Sequence, residues 1–279
     1  MLDVVTGKLI LCATPIGNLG DASARLATEL SAADLIYAED TRRAATLLRI
    51  LDVRTKTRSY FVGNEARRSE ELAAKLRAGD TIALISDAGM PAISDPGLSA
   101  VRVAREVGAE VTVIPGPSAV TAALAVSGLP SDRFVFEGFL PRKGKDRNRR
   151  LADLATEERT VVLFSAKSRI ADDLTALADA LAADRRIVVA RELTKAFEEI
   201  WAGTLTDAAN HWANVSIRGE FTLVIAGAEP QLVDLDTAIE RVRDEVDKGI
   251  SMKDAVRQVA TQCDISRREL YEAVLRTEE

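Results

Sequence analysis

Between residues 9 and 127 short β-rich runs alternate with helix-length amphipathic ones, and this alternation restricts the fold more than anything else in the chain. Strands are predicted at 9–13, 35–37, 57–61, 81–85 and 111–114. Such a pattern builds a largely parallel sheet covered by helices. Gly128-Leu129-Pro130-Ser131-Asp132 interrupts it and marks a boundary. A second α/β set follows, with strands predicted at 134–137, 161–164, 187–190, 199–201 and 221–226. The last two bracket a turn and a short helix, so parallel and antiparallel pairing should mix there. After residue 232 three helices are predicted, 236–248, 252–262 and 266–275, the third opening at Ser266 with Glu269 in the capping-box position. The expected organisation is an α/β domain over 1–129, a second over 130–229, and a helical module over 230–279. The last two helices, joined by Cys263-Asp264-Ile265, have the dimensions of a helix-turn-helix, and equally of a small bundle packed on the body. Residues 231–279 carry 12 acidic and 8 basic side chains, so the module lacks the basic balance of a stand-alone nucleic-acid binder, although Arg267 and Arg268 begin its last helix.

Ligands of open α/β sheets bind at the carboxyl ends of strands, and there this chain places its least ordinary loops. Ser86-Asp87-Ala88-Gly89-Met90-Pro91-Ala92-Ile93-Ser94-Asp95-Pro96-Gly97 follows the strand at 81–85. Its glycines allow close backbone approach, and Asp87 and Asp95 offer acceptors. It is longer than an ordinary βα connection, which favours a binding role. Thr14-Pro15-Ile16-Gly17-Asn18-Leu19-Gly20-Asp21 is a glycine loop expected to open a helix and suited to an anion or nucleoside. It matches neither the dinucleotide fingerprint nor a Walker A loop. Glu39-Asp40-Thr41-Arg42-Arg43 reads equally as helix-start electrostatics or as substrate handling. Pro115-Gly116-Pro117-Ser118-Ala119 and Arg191-Glu192-Leu193-Thr194-Lys195 complete the set, and loops at strand ends in both halves imply one cleft between them. Residues 141–150 carry six Arg or Lys against one Asp. The spacing of this run is wrong for Walker A, but the charge suits a nucleic-acid backbone.

The stock of side chains excludes several classes. The chain of 279 residues has two cysteines, far apart, and one histidine, so neither a zinc site, a disulfide framework nor a Ser-His-Asp triad can be assembled, and no metal is expected. His211, beside Trp212, reads as a packed or surface helix residue. The apolar run at 9–13 is too short for a secretory signal and nothing approaches membrane-spanning length, so a soluble, cytoplasmic protein is expected. A net charge of −6 leaves nucleic acid to local basic patches.

With these loops in register, and Gly138-Phe139-Leu140-Pro141 among them, the chain resembles the tetrapyrrole-methylase superfamily of S-adenosylmethionine-dependent enzymes. Within it the chain is most similar to the ribose 2′-O-methyltransferases that modify a cytidine in the decoding region of small-subunit (16S) rRNA. The resemblance implies two α/β domains with a cofactor cleft between them and a small helix-turn-helix-like module. It also implies a homodimer and the small ribosomal subunit as partner. S-adenosylmethionine would be surrounded by Pro15, Asp87, Ala88, Gly89, Ile93, Ser94, Ser118, Ala119, Phe164, Leu193, Thr194, Phe221 and Thr222. RNA would be held by Arg42, Arg43, Arg142, Lys143, Lys145, Arg147, Arg149 and Arg150. Two segments depart from the family pattern: Phe164-Ser165-Ala166-Lys167-Ser168-Arg169 stands for a Tyr-Glu-Ser-Pro-His-Arg-like run, and Phe61-Val62-Gly63-Asn64-Glu65 for a His-Glu-His-Asn-Glu-like one. No histidine of either segment can therefore act here. The candidates for a proton acceptor are Asp21, Asp40, Asp95, Lys195 and Glu198, and a site without a dedicated base is an alternative. Two rival readings are a methylase of tetrapyrroles, other small molecules or proteins, and a nucleic-acid-binding regulator sensing a nucleoside-like ligand.

Overall fold

The computed structural model describes residues 7–213, 218–229, 234–263 and 265–277. Five strands, β1 (Lys8–Cys12), β2 (Leu35–Ala38), β3 (Thr57–Ser59), β4 (Thr81–Ile85) and β5 (Glu110–Ile114), form one sheet in the order β3-β2-β4-β1-β5. Every pairing in it is parallel. Helices α1 (Ala24–Ala32), α2 (Thr41–Ile50), α3 (Glu65–Arg77), α4 (Leu98–Glu106) and α5 (Ala119–Ser127) connect or follow the strands. Alternate residues of each strand feed different cores: Ile10, Cys12, Ile36 and Ala83 pack with α1 and α2, whereas Leu9, Tyr37, Ile82 and Leu84 pack with α3 and α4. A sheet buried on both faces explains why its strands read as continuous apolar runs.

The second sheet contains β6 (Phe134–Phe139), β7 (Thr160–Ala166), β8 (Arg186–Arg191), β9 (Glu199–Thr204) and β10 (Glu220–Ile225) in the order β6-β7-β10-β8-β9. Only β6·β7 is parallel; the other pairs are antiparallel, so the mixed pairing expected from the sequence is present. One face packs on α6 (Lys145–Ala155), α7 (Ile170–Ala180) and α8 (Leu205–Ala213). The other face is covered from the first half. Val120, Ala123 and Leu124 of α5 pack with Val162, Val188, Ala190 and Val224. Val120, Ala123, Leu124 and Ser127 form the buried face of α5, while Thr121, Ala125 and Val126 on its other side are exposed.

Both sheets belong to one compact unit, Met1–Ala228, with a second unit over Glu229–Glu279. The left-handed Gly128 ends α5 just before the sequence boundary at 129/130, but the compact unit continues across that boundary, and Pro230, at the next expected boundary, lies outside the described residues. The second unit contains α9 (Leu235–Asp247), α10 (Met252–Gln262) and α11 (Arg267–Arg276), packed round Val242, Val256, Val259, Leu270 and Val274. Ser266 caps α11 by accepting from the Glu269 amide. Asp264, within the expected turn, is outside the described residues. No described helix is long and apolar enough to cross a membrane.

One local expectation fails. The glycine loop after β1 does not open a helix: Leu19–Asp21 forms a 3-10 turn in which Asn18 accepts from the Gly20 amide, and α1 starts later, capped by Ser23. The side-chain amide of Asn18 satisfies the loop's own backbone, so no helix N-terminus is aimed from this loop.

Candidate functional site

A cavity of about 680 Å³ lies between the carboxyl ends of the parallel sheet and the second sheet. Its floor is tied by a two-bond bridge in which Thr14 and Gly89 exchange backbone hydrogen bonds at 2.9 and 3.0 Å, locking the loops after β1 and β4 together. Gly89 has φ +77, which a glycine adopts freely. Four residues with side chains also take positive φ in the loops that carry the walls: Ala92 and Ser94 in the loop after β4, and Glu192 and Thr194 after β8. Such strain costs about 1–3 kcal/mol per residue and gathers at functional sites.

Of the residues assigned to the cofactor on sequence, Asp87, Ala88, Gly89, Ile93, Ser94, Ser118, Ala119, Phe164, Leu193, Phe221 and Thr222 all line this one cavity. Pro15 and Thr194 do not. Pro15 sits between the bridging Thr14 and the lining Ile16. Thr194 acts as a clasp: its Oγ1 accepts from the Asn18 amide at 3.1 Å, and its own amide donates to Glu198 at 2.6 Å, joining the loops of the two halves.

The acidic groups divide by role. Asp40 caps α2, accepting from the Arg42 amide at 2.8 Å and pairing with the Arg42 guanidinium, so the helix-start reading holds for it. Glu39, its neighbour, faces the cavity instead, because successive residues leaving β2 point opposite ways. Glu39 accepts from the Asp87 amide, and Asp87 accepts from the Asp40 amide and pairs with Arg43 at 3.0 Å. Burial raises Glu39 above the usual carboxylate range. Asp95, on the same wall, is pushed up to about 6, first by burial and then by the charge of Glu39, with the Ser86 hydroxyl opposing. Carboxylates perturbed in this way within a cleft are where proton transfer is expected. Glu39 was absent from the sequence candidates; the signal that could have found it is its position directly beyond a buried strand.

The remaining candidates are corrected by their surroundings. Asp21 lies in the exposed 3-10 turn and Asp40 is a cap, and neither lines the cavity. Glu198 holds the Thr194 amide. Lys195 lines the cavity but pairs with Glu192 at 2.8 Å and Glu220 at 3.0 Å. Burial opposes its charge, yet those hydrogen bonds outweigh it and raise its pKa, so Lys195 stays protonated and is not a proton acceptor. Among the described residues no cluster of His, Cys, Asp and Glu has the arrangement of a metal site. His211 stacks on Trp201, 5.4 Å between ring centroids, away from the cavity.

The basic residues also separate. Arg142, Lys143 and Lys145 are exposed, at the turn before α6 and its first residue. Arg149 pairs with Asp146, Arg150 with Glu137, Arg42 with Asp40 and Arg43 with Asp87, all at the surface, where such pairs are weak and exchangeable. Arg147 is different. Its guanidinium donates to Asp173, whose side chain is 2% exposed, and to the Pro141 carbonyl. Arg169 and Ser165 donate to the same carboxylate. Arg147 is therefore a structural residue and not a phosphate ligand.

Tetrapyrrole (corrin/porphyrin) methylases match residues 8–209 of this sequence. A Synechocystis sp. protein named ribosomal RNA small subunit methyltransferase I is 47% identical over 277 residues, covering 98% of this chain and 99% of that one. A Mycobacterium tuberculosis protein of the same name is 45% identical over 275 residues, covering 98% and 96%. Among solved structures the methyltransferase CobJ superposes with a TM-score of 0.60 at 19% identity, over 82% of this chain and 98% of that one, a likeness of fold.

Proposed function

We propose, for a chain that belongs to the tetrapyrrole (corrin/porphyrin) methylase family, that it transfers a methyl group from S-adenosylmethionine to a cytidine ribose 2′-oxygen in the decoding region of 16S rRNA. The observation that carries the reading is full-length similarity to relatives named for small-subunit rRNA methylation. It is supported by a cavity whose chemistry fits the donor. A volume of about 680 Å³ suits a nucleoside cofactor. Ile16, Ala119, Phe164 and Leu193 provide an apolar wall for a base, while Glu39 and Asp87 supply carboxylates for a cationic sulfur and ammonium. Bound there, S-adenosylmethionine supplies a methyl group already activated by its positive sulfur.

The chain's residues then have defined work. The loops after β4 and β8 fix orientation, and alignment of reacting atoms is worth up to about 7–11 kcal/mol. Asp95 accepts the proton of the ribose hydroxyl, adding about 10²–10⁴-fold, its basicity raised first by burial and further by the charge of Glu39. Arg142, Lys143, Lys145 and the exchangeable Arg149 and Arg150 take the RNA backbone. Separated cationic patches on a net acidic body favour a shaped partner, an assembled small subunit, and so a site of action in the cytoplasm. A homodimer is the expected assembly, read by light scattering.

The test compares transfer of labelled methyl groups to small subunits lacking the modification, to protein-free rRNA and to a short hairpin with the decoding-region cytidine. Transfer strongest to the subunit, with the label on a ribose oxygen by mass spectrometry of nucleosides, is expected. Equal rates on all three would remove the assembled-subunit claim, and label on a base would remove the reaction type.

A further inference from the structure

Phe139 has no part in the proton transfer or cofactor binding assigned to the cavity, yet the strand is bent to present it. Side chains of a regular strand alternate between faces, so Phe136 and Phe139, three apart, would point opposite ways. Instead pairing passes from Phe136↔Val162 to Phe139↔Phe164, three steps on β6 against two on β7. Gly138, at φ +62, absorbs the extra residue. Bulges of this kind re-aim side chains beside active sites. Both rings consequently reach Phe164, at 5.0 and 5.5 Å between centroids. A Cβ on Gly138 would come within 3.1 Å of Ser94 Oγ, so the bulge is seated against the loop after β4. Phe136 packs into the core beneath α5. Phe139 lines the cavity and remains 53% exposed.

The residues that come after Phe139 identify its occupant. Leu140 is buried and Pro141 turns the chain into Arg142 and Lys143, with Lys145 opening α6. These three cations are exposed and enter no ion pair among the described residues, unlike Arg147, Arg149 and Arg150. Arg142 is three residues from Phe139, a span of at most about 11 Å, which places free positive charge beside an open aromatic face, with Lys143 and Lys145 further along the chain. Single-stranded nucleic acid is recognised by that combination, bases stacking on rings while cations follow the backbone. Asp95, the proposed acceptor, lines the same cavity as Phe139, so a nucleotide stacked on that ring has its ribose beside the pocket that holds Asp95.

We propose that Phe139 is a stacking platform for the base of an extruded RNA nucleotide, with Arg142, Lys143 and Lys145 on the adjoining phosphates. The proposal rests on the RNA-methylation reading and deepens it. The experiment measures fluorescence quenching of a single-stranded oligoribonucleotide carrying 2-aminopurine, methyl transfer to small subunits, and S-adenosylmethionine affinity by calorimetry, for the native chain, Phe139→Leu and Phe139→Tyr. Loss of a base–aromatic stack lowers binding by about 5- to 150-fold. Phe139→Leu is therefore expected to abolish quenching and lower kcat/KM for subunits by that factor at unaltered cofactor affinity, and Phe139→Tyr to restore both. Unchanged kcat/KM in Phe139→Leu overturns the platform while leaving the methylation reading standing. A matching loss of cofactor affinity also overturns it, assigning the ring to the cofactor's adenine. Quenching that depends on Phe139, without methyl transfer to any subunit, sustains the platform and removes the methylation reading.

Discussion

Replacing Arg147 by alanine separates the structural part of the basic run from its RNA-facing part. Asp173 is 2% exposed and accepts from Arg147 at 2.8 Å, Arg169 at 3.1 Å and Ser165 at 2.7 Å. Breaking a buried pair by removing one partner costs about 3–5 kcal/mol, because the other charge remains desolvated. Arg147→Ala should fall near about 3 kcal/mol, since Arg169 and Ser165 still hold the carboxylate. For a unit of this size each kcal/mol moves Tm by about 2–4 °C, so a loss of about 6–12 °C is expected. Asp173→Ala should cost more, because it strands two guanidinium groups. Both tryptophans, Trp201 and Trp212, lie in the first unit, so their fluorescence in a urea titration reports its unfolding without the C-terminal helices. The salt slope of RNA binding should be the same for Arg147→Ala as for the native chain. By contrast, serine at Arg142, Lys143 and Lys145 should lower it by about 2, at roughly 0.7 per contact with single-stranded RNA. The reasoning is refuted if Arg147→Ala unfolds within about 1 kcal/mol of the native chain and its slope falls by about one contact.

Four further outcomes are expected of the cavity. Asp95 is raised to about 6, so as proton acceptor it should give a kcat/KM that climbs through pH 6 and levels above it, and Asp95→Asn should remove that limb together with most of the activity; a profile identical in the variant would dismiss Asp95. Since its folded pKa exceeds the unfolded one, its contribution to stability is present below about pH 4 and lost as pH rises through 6, so Asp95→Asn should be more stable than the native chain at pH 7 and not at pH 3 by urea titration. Glu198→Ala frees the strained Thr194 amide and should weaken S-adenosylmethionine binding by about tenfold in calorimetry, the scale of one hydrogen bond to a charged group; an unchanged affinity would show that the clasp does not shape the wall. Gly89→Val should lower cofactor affinity and Tm together: an added Cβ meets only ordinary contacts, 3.5 Å from Ile16 and 3.7 Å from the Pro117 carbonyl, so the cost comes from φ +77, which a β-branched residue resists.

The parallel sheet was legible in the sequence because both of its faces are buried, which leaves β1, β2 and β4 as unbroken apolar runs ending in Gly- and Asp-rich loops. The same rule led to the cavity, since every lining loop of the first half follows a strand. The contents of 141–150 were not legible. Arg142 and Arg147 are identical in composition and differ only in that Asp173, 26 residues further on, comes to rest beside Arg147. Burial of one partner across the fold decides between a phosphate ligand and a structural ion pair, and no local pattern records it. Residues 39 and 40 show the same limit at shorter range: either carboxylate could cap α2, and the choice belongs to the direction in which β2 ends. The bulge at Gly138 was not legible: the strand expected over 134–137 runs on to Phe139, and Gly138 within it takes the left-handed backbone that makes the bulge.

Least visible in the sequence is the strain. Ala92, Ser94, Glu192 and Thr194 are ordinary residues that local preference would put at negative φ, and each is held otherwise. Ser94 and Glu192 line the cavity, Ala92 and Thr194 lie in the same two loops, and Ser94 and Thr194 are held by cross-connection. Gly138 of β6 seats against Ser94, Glu198 takes the Thr194 amide, and Thr194 takes Asn18 from the loop after β1. With about 1–3 kcal/mol of strain at each position, the loops would relax if those ties were cut. Two of these ties, Gly138 against Ser94 and Thr194 to Asn18, run between the two halves, so the shape of each wall depends on the packing of α5 against the second sheet. A substitution such as Leu124→Ala, buried in that packing far from any reacting atom, should therefore disturb the cavity as well as the core. Cofactor affinity would fall in step with stability, whereas a core change beneath α6, Leu154→Ala, would lower stability alone.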